Sequence, residues 1–366
     1  MAKYKRQKVK RYRRSFYSRG TRIKKGIGIV VLVLAVLGAA WLAAPHVLDW
    51  ATHTWYTVVK NRDLEAESAS RAAASSEAAA SSAVQEAASS QPEPEQPKEL
   101  DGKAITGGSW AAVDVSTLAD DAAIRAAAQQ LKAQGADYGL VTLKDADGSI
   151  HYASQVAAAS GSIAGITVDP ARIAAIFREE GIIPAAQLAA FTDPVSGYTD
   201  RSMAVHYSGT QLWLDNVSAK AGGKSWLDPS AASAVQYVGD LIEELHGMGF
   251  EQVVLTGVQF PNIITRKQEF AAAGGKSQEG RAALLAADIS TWQARFDGSV
   301  VLWLSYPAQQ CTDASDALGA PAVSLGMHNL IVTADTLDVA ARGQLQQSAA
   351  EAGVQNVVIC STESFQ

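Results

Sequence analysis

Short apolar runs alternate with amphipathic stretches from about residue 105 to the end of this 366-residue chain. The apolar runs predict seven buried strands at Trp110–Val115, Tyr138–Leu143, Ile182–Ala190, Val253–Val258, Val300–Ser305, Leu330–Thr333 and Val357–Cys360. Helical periodicity is clearest at Leu118–Gln134, Pro170–Glu180, Ala231–Met248, Gly280–Phe296 and Leu337–Ala352. This alternation predicts parallel strands joined by helical crossovers, with both faces of the sheet covered.

Two α/β architectures fit this alternation. About 260 residues is the usual size of a (β/α)8 TIM barrel, and an eighth strand could lie near Ala322–Gly326. An open, doubly wound sheet is the alternative, because periodicity alone does not distinguish the two. The glycine-rich dinucleotide fingerprint is missing after the first strand, where WAAVDVSTLAD runs straight on.

Charge is segregated along the chain. Residues 1–25 contain twelve of the 31 Lys and Arg residues and none of the 37 acidic ones, so the remainder has 19 basic and 37 acidic residues. The uncharged stretch Gly26–Ala44 follows, and it has about the length of a membrane-spanning helix. The positive-inside rule predicts a single-pass cell-membrane protein with a cytoplasmic N-terminus and an extracytoplasmic C-terminal domain. A cleaved signal peptide is the alternative.

The residues on either side of this predicted span suit a tether. The basic arm, residues 1–25, is expected to contact anionic lipid rather than nucleic acid, because it adjoins the span and no nucleic-acid-binding fold accompanies it. Residues 45–104 are predicted to form a juxtamembrane segment and a linker rich in Ala, Ser, Glu and Pro, too polar to fold alone. The predicted domains are thus the arm, the signal-anchor helix 26–44, the segment 45–104 and the extracytoplasmic domain 105–366.

Four segments carry a resemblance to a known family. They are Leu143–Ser154 (LKDADGSIHYAS), Ile182–Pro194 (IIPAAQLAAFTDP), Ser225–Pro229 (SWLDP) and Gly249–Pro261 (GFEQVVLTGVQFP). In this order they resemble segments of the glycoside-hydrolase-like (β/α)8 barrel family once described as a domain of unknown function. The resemblance covers roughly residues 108–262 and is weak beyond them. It implies the barrel fold and a site at the C-terminal ends of the strands.

Charged residues of that family are replaced in this sequence. Thr142 and Thr256 occupy positions where the family has acids, and Gln187 and Gln259 occupy positions where it has Arg. Because the acids and the arginines are replaced together, no buried guanidinium is left without an acidic partner. The interior therefore remains able to fold. The resemblance therefore implies that Thr142, Gln187 and Thr256 mark the site of a lost charge network.

Some acids remain on the expected active face. Glycoside hydrolysis usually needs two carboxyl groups that flank the scissile bond. Asp114 at the end of the first strand and Asp145 after the second are the predicted catalytic residues. Asp114 could instead cap the next helix, and Asp145–Gly148 could form a hairpin turn.

A second set of side chains is predicted to bind substrate. This set is Tyr152, Asp193, Trp213, Trp226 and Gln259. The two tryptophans lie in a long segment, Thr192–Leu227, and flat aromatic faces next to polar groups suit sugar rings. The alternative is that they only fix this segment to the rim of the barrel.

Other chemistry is not indicated. The six histidines are scattered without metal-ligand spacing, so neither a metal nor a cofactor is predicted. Cys311 and Cys360 could form a disulfide or remain separate thiols. Two functions stay open: a hydrolase acting on polysaccharide, with cell-wall glycan as the expected substrate, or an inactive barrel that binds glycan or protein as a scaffold in the cell envelope.

Overall fold

A computed structural model of the chain describes residues 108–362 and Phe365. The predicted basic arm, membrane span and linker lie outside the described residues. Among those residues, no helix combines the length and the apolar composition required to cross a membrane.

Nine strands form two sheets within the described residues. They are β1 Trp110–Val113, β2 Tyr138–Lys144, β3 Ile183–Ala189, β4 His206–Tyr207, β5 Gln211–Leu212, β6 Gln252–Thr256, β7 Val301–Pro307, β8 Asn329–Thr333 and β9 Asn356–Cys360. All seven predicted strands are confirmed, as β1, β2, β3 and β6–β9. Strands β4 and β5 form a small antiparallel hairpin inside Thr192–Leu227, so that segment has more regular structure than its sequence predicts.

Seven α-helices accompany these strands. They are α1 Asp121–Ala133, α2 Pro170–Glu179, α3 Ser196–Thr199, α4 Ala232–Gly247, α5 Gln278–Arg295, α6 Ala308–Thr312 and α7 Val339–Glu351. Short 3-10 helices occur at Val115–Thr117, Ala157–Ala159, Arg201–Met203, Ala219–Ala221, Ala273–Lys276 and Ala322–Leu325. The five predicted helices are confirmed within three residues at each end. Capping side chains explain the starts of four of them: the carboxylate of Asp120, for example, accepts a hydrogen bond from the Ala123 amide at 2.8 Å.

The main sheet is parallel, with the strand order β1-β2-β3-β6-β7-β8-β9. The strands therefore follow one another in chain order, whereas a doubly wound sheet reverses its order at a switch point. One apolar cluster collects side chains from all seven strands, including Leu140, Val254 and Val358. In this cluster the ring centroids of Trp110 on β1 and Trp303 on β7 lie 5.3 Å apart although four strand-to-strand steps separate the two strands, so the sheet is strongly curled. The prediction of a parallel α/β domain is confirmed.

The prediction of an eighth strand near Ala322–Gly326 is wrong. Residues Ala322–Leu325 form a 3-10 helix between Pro321 and Gly326, and the glycine is in the left-handed conformation at φ 80°. The buried side chains are Ala322, Val323 and Leu325, a spacing that does not alternate as it would in a strand. Across residues 108–362 and Phe365, the main sheet thus has seven strands, and no hydrogen-bonded pairing joins β9 to β1.

A second apolar layer covers the outer face of the curled sheet. Along β2 the side chains alternate, with Leu140 in the inner cluster and Val141 in the outer one. Helices α1 and α4 contribute Ile124 and Leu241 to the outer cluster. The sheet is therefore buried on both faces, which agrees with its continuous apolar runs.

Candidate binding site

A cavity of about 270 Å³ lies at the carboxyl ends of the central strands. It is lined by Gln187, Thr256, Gly257, Gln259, Ser305, Tyr306, Pro307, Gln310, Thr333, Thr362 and Phe365. Strands β3, β6, β7 and β8 each contribute lining residues, and the segment after β9 supplies the last two. Ligand sites in parallel α/β folds lie at this edge of the sheet, so this cavity is the candidate site.

Strand register explains why these side chains meet. Thr256 at the end of β6 pairs with Ala189 at the end of β3, and Pro307 of β7 pairs with Thr333 of β8. The carboxyl ends of neighbouring parallel strands therefore lie side by side. Residues close to these ends project into the same space at the mouth of the curled sheet.

The lining is polar but carries no charged side chain among the described residues that form it. Gln259 donates through Nε2 to the Oδ1 atom of Asn262 at 3.0 Å, and Tyr306 donates its hydroxyl to the Val258 carbonyl at 2.8 Å. The side-chain oxygen of Gln187 is buried and has no hydrogen-bond partner. A buried acceptor without a partner is costly to stability.

The positions predicted to mark the lost charge network partly coincide with this cavity. Gln187, Thr256 and Gln259 line it. Thr142 lies next to Gln187 in the register of β2 and β3 but is not part of the lining. Neutral amides and hydroxyls thus occupy the strand ends where the family resemblance places charges.

The predicted catalytic residue Asp114 is exposed at the end of β1 and caps the following 3-10 helix. Its carboxylate accepts a hydrogen bond from the Ser116 amide at 2.9 Å, which lowers the pKa of Asp114. This contact is the capping alternative that the sequence left open. Asp114 does not line the cavity.

Asp145 pairs with a histidine and begins a turn. Its carboxylate lies 2.7 Å from Nε2 of His151, and this hydrogen bond raises the pKa of His151. The Gly148 amide donates to the Asp145 carbonyl at 3.0 Å, which confirms the hairpin turn. Gly148 has φ 86°, and a Cβ there would lie 2.7 Å from a carboxylate oxygen of Asp193, so the turn requires glycine.

Two predicted substrate-binding residues have buried structural partners. The Tyr152 hydroxyl donates to Glu244 of α4 at 2.9 Å, and burial raises the pKa of this tyrosine. Asp193 lies 3.0 Å from the ammonium group of Lys144, and both side chains are completely buried. Asp193 also accepts hydrogen bonds from the backbone amides of Val195 and Ser196 at 2.9 and 2.8 Å. Neither Tyr152 nor Asp193 lines the cavity.

A small apolar cluster contains Trp213, Trp226 and Val205. Both are buried, and Trp226 donates its indole N–H to Asp215 at 3.0 Å. Their place in the structure matches the alternative in which they fix the segment Thr192–Leu227. They are also absent from the cavity lining.

Sequence reasoning did not find the lining residues of the later strands. These are Ser305, Tyr306, Pro307, Gln310, Thr333, Thr362 and Phe365. The family resemblance is weak beyond residue 262, so it gave no motif there. A usable signal was present, because Ser305 and Thr333 are polar residues at the ends of two correctly predicted strands.

The two cysteines are separate thiols. Both Cys311 and Cys360 are free and buried. Burial raises the pKa of Cys311 to about 12 and that of Cys360 to about 11, so neither is an activated nucleophile. No group of three or more His, Cys, Asp or Glu side chains suited to a metal ion occurs in the part of the chain that the structure describes.

Fold and site together define an α/β protein with a curled parallel sheet and a polar cavity at its carboxyl edge. The chain belongs to the domain family described as "Putative glycosyl hydrolase domain", whose model matches residues 113–301. The resemblance seen in four sequence segments is thereby confirmed. No curated protein matches this sequence.

Several solved structures are similar to the chain. A hypothetical protein from Ruminiclostridium thermocellum ATCC 27405 is 21% identical, covers 53% of this chain and 96% of its own, and has a TM-score of 0.45. The GH20 exo-β-N-acetylglucosaminidase from Vibrio harveyi is 9% identical over 70% of this chain and 42% of its own, with a TM-score of 0.47. The α-galactosidase from Thermus thermophilus is 13% identical over 70% of this chain and 52% of its own, with a TM-score of 0.42. This chain thus spans about half or less of the length of the two glycosidases.

Proposed function

We propose that this protein is a membrane-anchored, extracytoplasmic carbohydrate-binding protein that holds a saccharide of the cell wall without hydrolysing it. Its domain is barrel-like, and the described residues supply seven of the eight strands of a (β/α)8 barrel. Family membership supports a carbohydrate ligand. The basic arm and the apolar stretch Gly26–Ala44 support the anchor and its orientation.

The observation that carries this proposal is the neutral lining of the cavity. Hydrolysis of a glycosidic bond usually requires two carboxyl groups, one as acid and one as base or nucleophile. Amides, hydroxyls and two aromatic rings occupy the lining instead, with Gln187 and Thr256 at the strand ends. Such groups form hydrogen bonds to sugar hydroxyls but do not supply the required proton transfer at neutral pH.

Three acids of this face that the sequence singled out have other partners. Asp114 caps a 3-10 helix, Asp145 pairs with His151, and Asp193 is buried against Lys144. A carboxylate held in this way is not free to flank a bond in the cavity. This arrangement favours binding over the alternative of a hydrolase that uses relocated acids.

The test combines two assays on the purified full-length protein in detergent. Reducing-end release is measured over a panel of cell-wall and plant polysaccharides, and binding of their soluble oligosaccharides is measured by ligand-observed NMR. We expect binding without release. We expect Thr256→Trp, which fills the cavity, to abolish binding, and Gln346→Ala, on the exposed face of α7, to leave it unchanged.

Release of reducing ends that is lost in Asp114→Asn or Asp145→Asn would show that this protein is a hydrolase after all. Absence of both release and binding across the panel would leave the domain without a carbohydrate function. Protease added outside intact cells tests the topology separately, because it should reach the domain that follows residue 105.

A further inference from the structure

We infer that the cavity selects an uncharged sugar residue that donates hydroxyl hydrogen bonds, and that it rejects anionic sugars such as uronic acids. This inference rests on the proposed function, because it names the class of saccharide that the same cavity accepts. Three properties of the cavity carry it: the charge of its lining, one unpaired acceptor and its volume.

The lining offers no counter-charge to an anion. All eleven lining residues are uncharged, so a carboxylate placed among them would lose hydration without gaining a cationic partner. A charged side chain that contacts the lining has an unfavourable sign as well. The exposed side chain of Asp335 accepts a hydrogen bond from the backbone amide of Thr362, a lining residue, at 3.1 Å. A negative charge beside the cavity repels an anionic ligand.

The wider chain strengthens this repulsion. From residue 105 onward, the sequence holds 14 basic and 27 acidic residues. A net negative domain lowers the local concentration of anions and slows their association. Local and long-range electrostatics therefore act against anionic sugars in the same direction.

The unpaired oxygen of Gln187 requires a hydrogen-bond donor. This atom is buried in the free protein and has no partner, and Gln187 lines the cavity, so a rotation of its side chain would bring the oxygen to a bound ligand. A sugar hydroxyl or an acetamido N–H can donate to it, whereas a carboxylate or sulfate group can only accept. An anionic group in this place would put two acceptors in contact, and a hydroxyl would satisfy the orphan atom.

The remaining lining groups suit a small ring. Thr256, Ser305, Thr333 and Thr362 carry hydroxyls, each of which can both donate and accept. The volume of about 270 Å³ lies just below the range of about 300–1,000 Å³ that is typical of sites for small ligands. The cavity therefore fits a single terminal residue better than a run of several sugars.

The experiment compares sugars that differ by a carboxyl group. Ligand-observed NMR titrations of the full-length protein would use methyl glucoside against methyl glucuronide, methyl galactoside against methyl galacturonide, and N-acetylglucosamine against N-acetylmuramic acid. We expect at least one neutral member to bind at least tenfold more tightly than its anionic counterpart. Equal or tighter binding of the anionic members would overturn the inference while leaving carbohydrate binding intact. If no sugar in the panel binds, the proposed function fails together with it.

Two variants test the physical reasons separately. Thr333→Lys places a cation in the lining, and we expect it to reverse the preference of at least one pair toward the anionic sugar. Gln187→Leu removes the orphan acceptor, and we expect about tenfold weaker sugar binding together with a higher urea midpoint of unfolding. If Gln187 had only a structural role, its replacement would lower both the sugar affinity and the urea midpoint. Unchanged binding in Gln187→Leu would remove that side chain from the recognition mechanism and overturn this part of the inference.

Discussion

The indole ring of Trp110 meets the indole ring of Trp303 edge-on, with the two centroids 5.3 Å apart. Trp110 lies on β1 and Trp303 on β7, four strand-to-strand steps apart in the sheet. In a flat sheet, four steps of about 4.8 Å would separate them by about 19 Å. Their contact therefore measures how strongly the sheet is curled. Phe365 extends the same cluster, with its ring centroid 6.4 Å from that of Trp110.

Truncation of Trp303 is expected to destabilise the domain. The side chain is fully buried and donates its indole N–H to Gln252 at 2.7 Å. Trp303→Ala should therefore lower the free energy of unfolding by about 3–5 kcal/mol. Urea denaturation followed by circular dichroism measures the change, with Val339→Ala, at a 90% exposed residue, as the control. A loss below about 1 kcal/mol would mean that this interior contact contributes little.

Removing only the cation of the buried Lys144–Asp193 pair should lower the free energy of unfolding more than removing both charges. Lys144 and Asp193 have fully buried side chains, 3.0 Å apart. Lys144→Met leaves a buried carboxylate unpaired, so we expect a loss of about 3–5 kcal/mol in unfolding free energy. Adding Asp193→Asn removes that charge but keeps an oxygen for the amides of Val195 and Ser196.

We therefore expect the double variant to be more stable than Lys144→Met alone. Equilibrium denaturation of the two single variants and the double variant completes a double-mutant cycle. Lys276→Met, at an exposed lysine, controls for the substitution itself. Additive effects in the cycle would show that the pair is not coupled.

Neutralising Asp288 should stabilise the protein in a pH-dependent way. Burial, with a smaller contribution from the charge of Asp228, raises the pKa of Asp288 from 3.8 to about 8. An acid whose pKa is raised by folding favours the folded state at low pH, and this contribution is lost as pH rises from about 4 to about 8. Asp288→Asn should therefore add roughly 2–4 kcal/mol to the unfolding free energy at pH 8 and little at pH 4.

Denaturation curves at several pH values measure this effect. The exposed residue Asp297 supplies the matched control, Asp297→Asn, which should show no comparable pH dependence. Equal stabilisation by Asp288→Asn at pH 4 and pH 8 would contradict a titrating carboxyl as its cause.

The pairing of His151 with Asp145 should be visible in a histidine titration. The hydrogen bond to Asp145 is the main cause that raises the pKa of His151 above its ordinary value of 6.5. The stabilising contribution of this pair is fully present below that value and is lost as pH rises through the folded pKa. NMR titration should give a lower midpoint for His151 in Asp145→Asn. Asp147→Asn is the control, because Asp147 acts on His151 only weakly. If the His151 midpoint fell equally in both variants, the raised pKa would be due to nearby negative charge in general and not to the hydrogen bond with Asp145.

The secondary structure could be predicted well because its signals are local. A run of apolar residues such as Val253–Val258 is sufficient to indicate a buried strand, and all seven main-sheet strands were found in this way. The eighth predicted strand failed at Ala322–Gly326. Its composition is that of a buried segment, but Pro321 and the left-handed Gly326 restrict it to a short 3-10 turn.

The candidate site could be predicted only in part. The family resemblance led to Gln187, Thr256 and Gln259, and the cavity contains all three. The predicted site residues that are charged or aromatic lie outside the cavity lining, because sequence does not reveal which partner a side chain meets. Tyr152 meets Glu244 of α4, 92 residues away, and Asp193 meets Lys144 across 49 residues.

The sequence by itself determined the strands, the helices and the neutral character of three strand ends, since these depend on periodicity and residue type. Tertiary structure alone decided that the sheet curls until Trp110 reaches Trp303, and that Thr333, Thr362 and Phe365 complete the cavity. The physical reason is distance along the chain. A cavity formed from residues 187 to 365 exists only after non-local packing brings those strand ends to one edge.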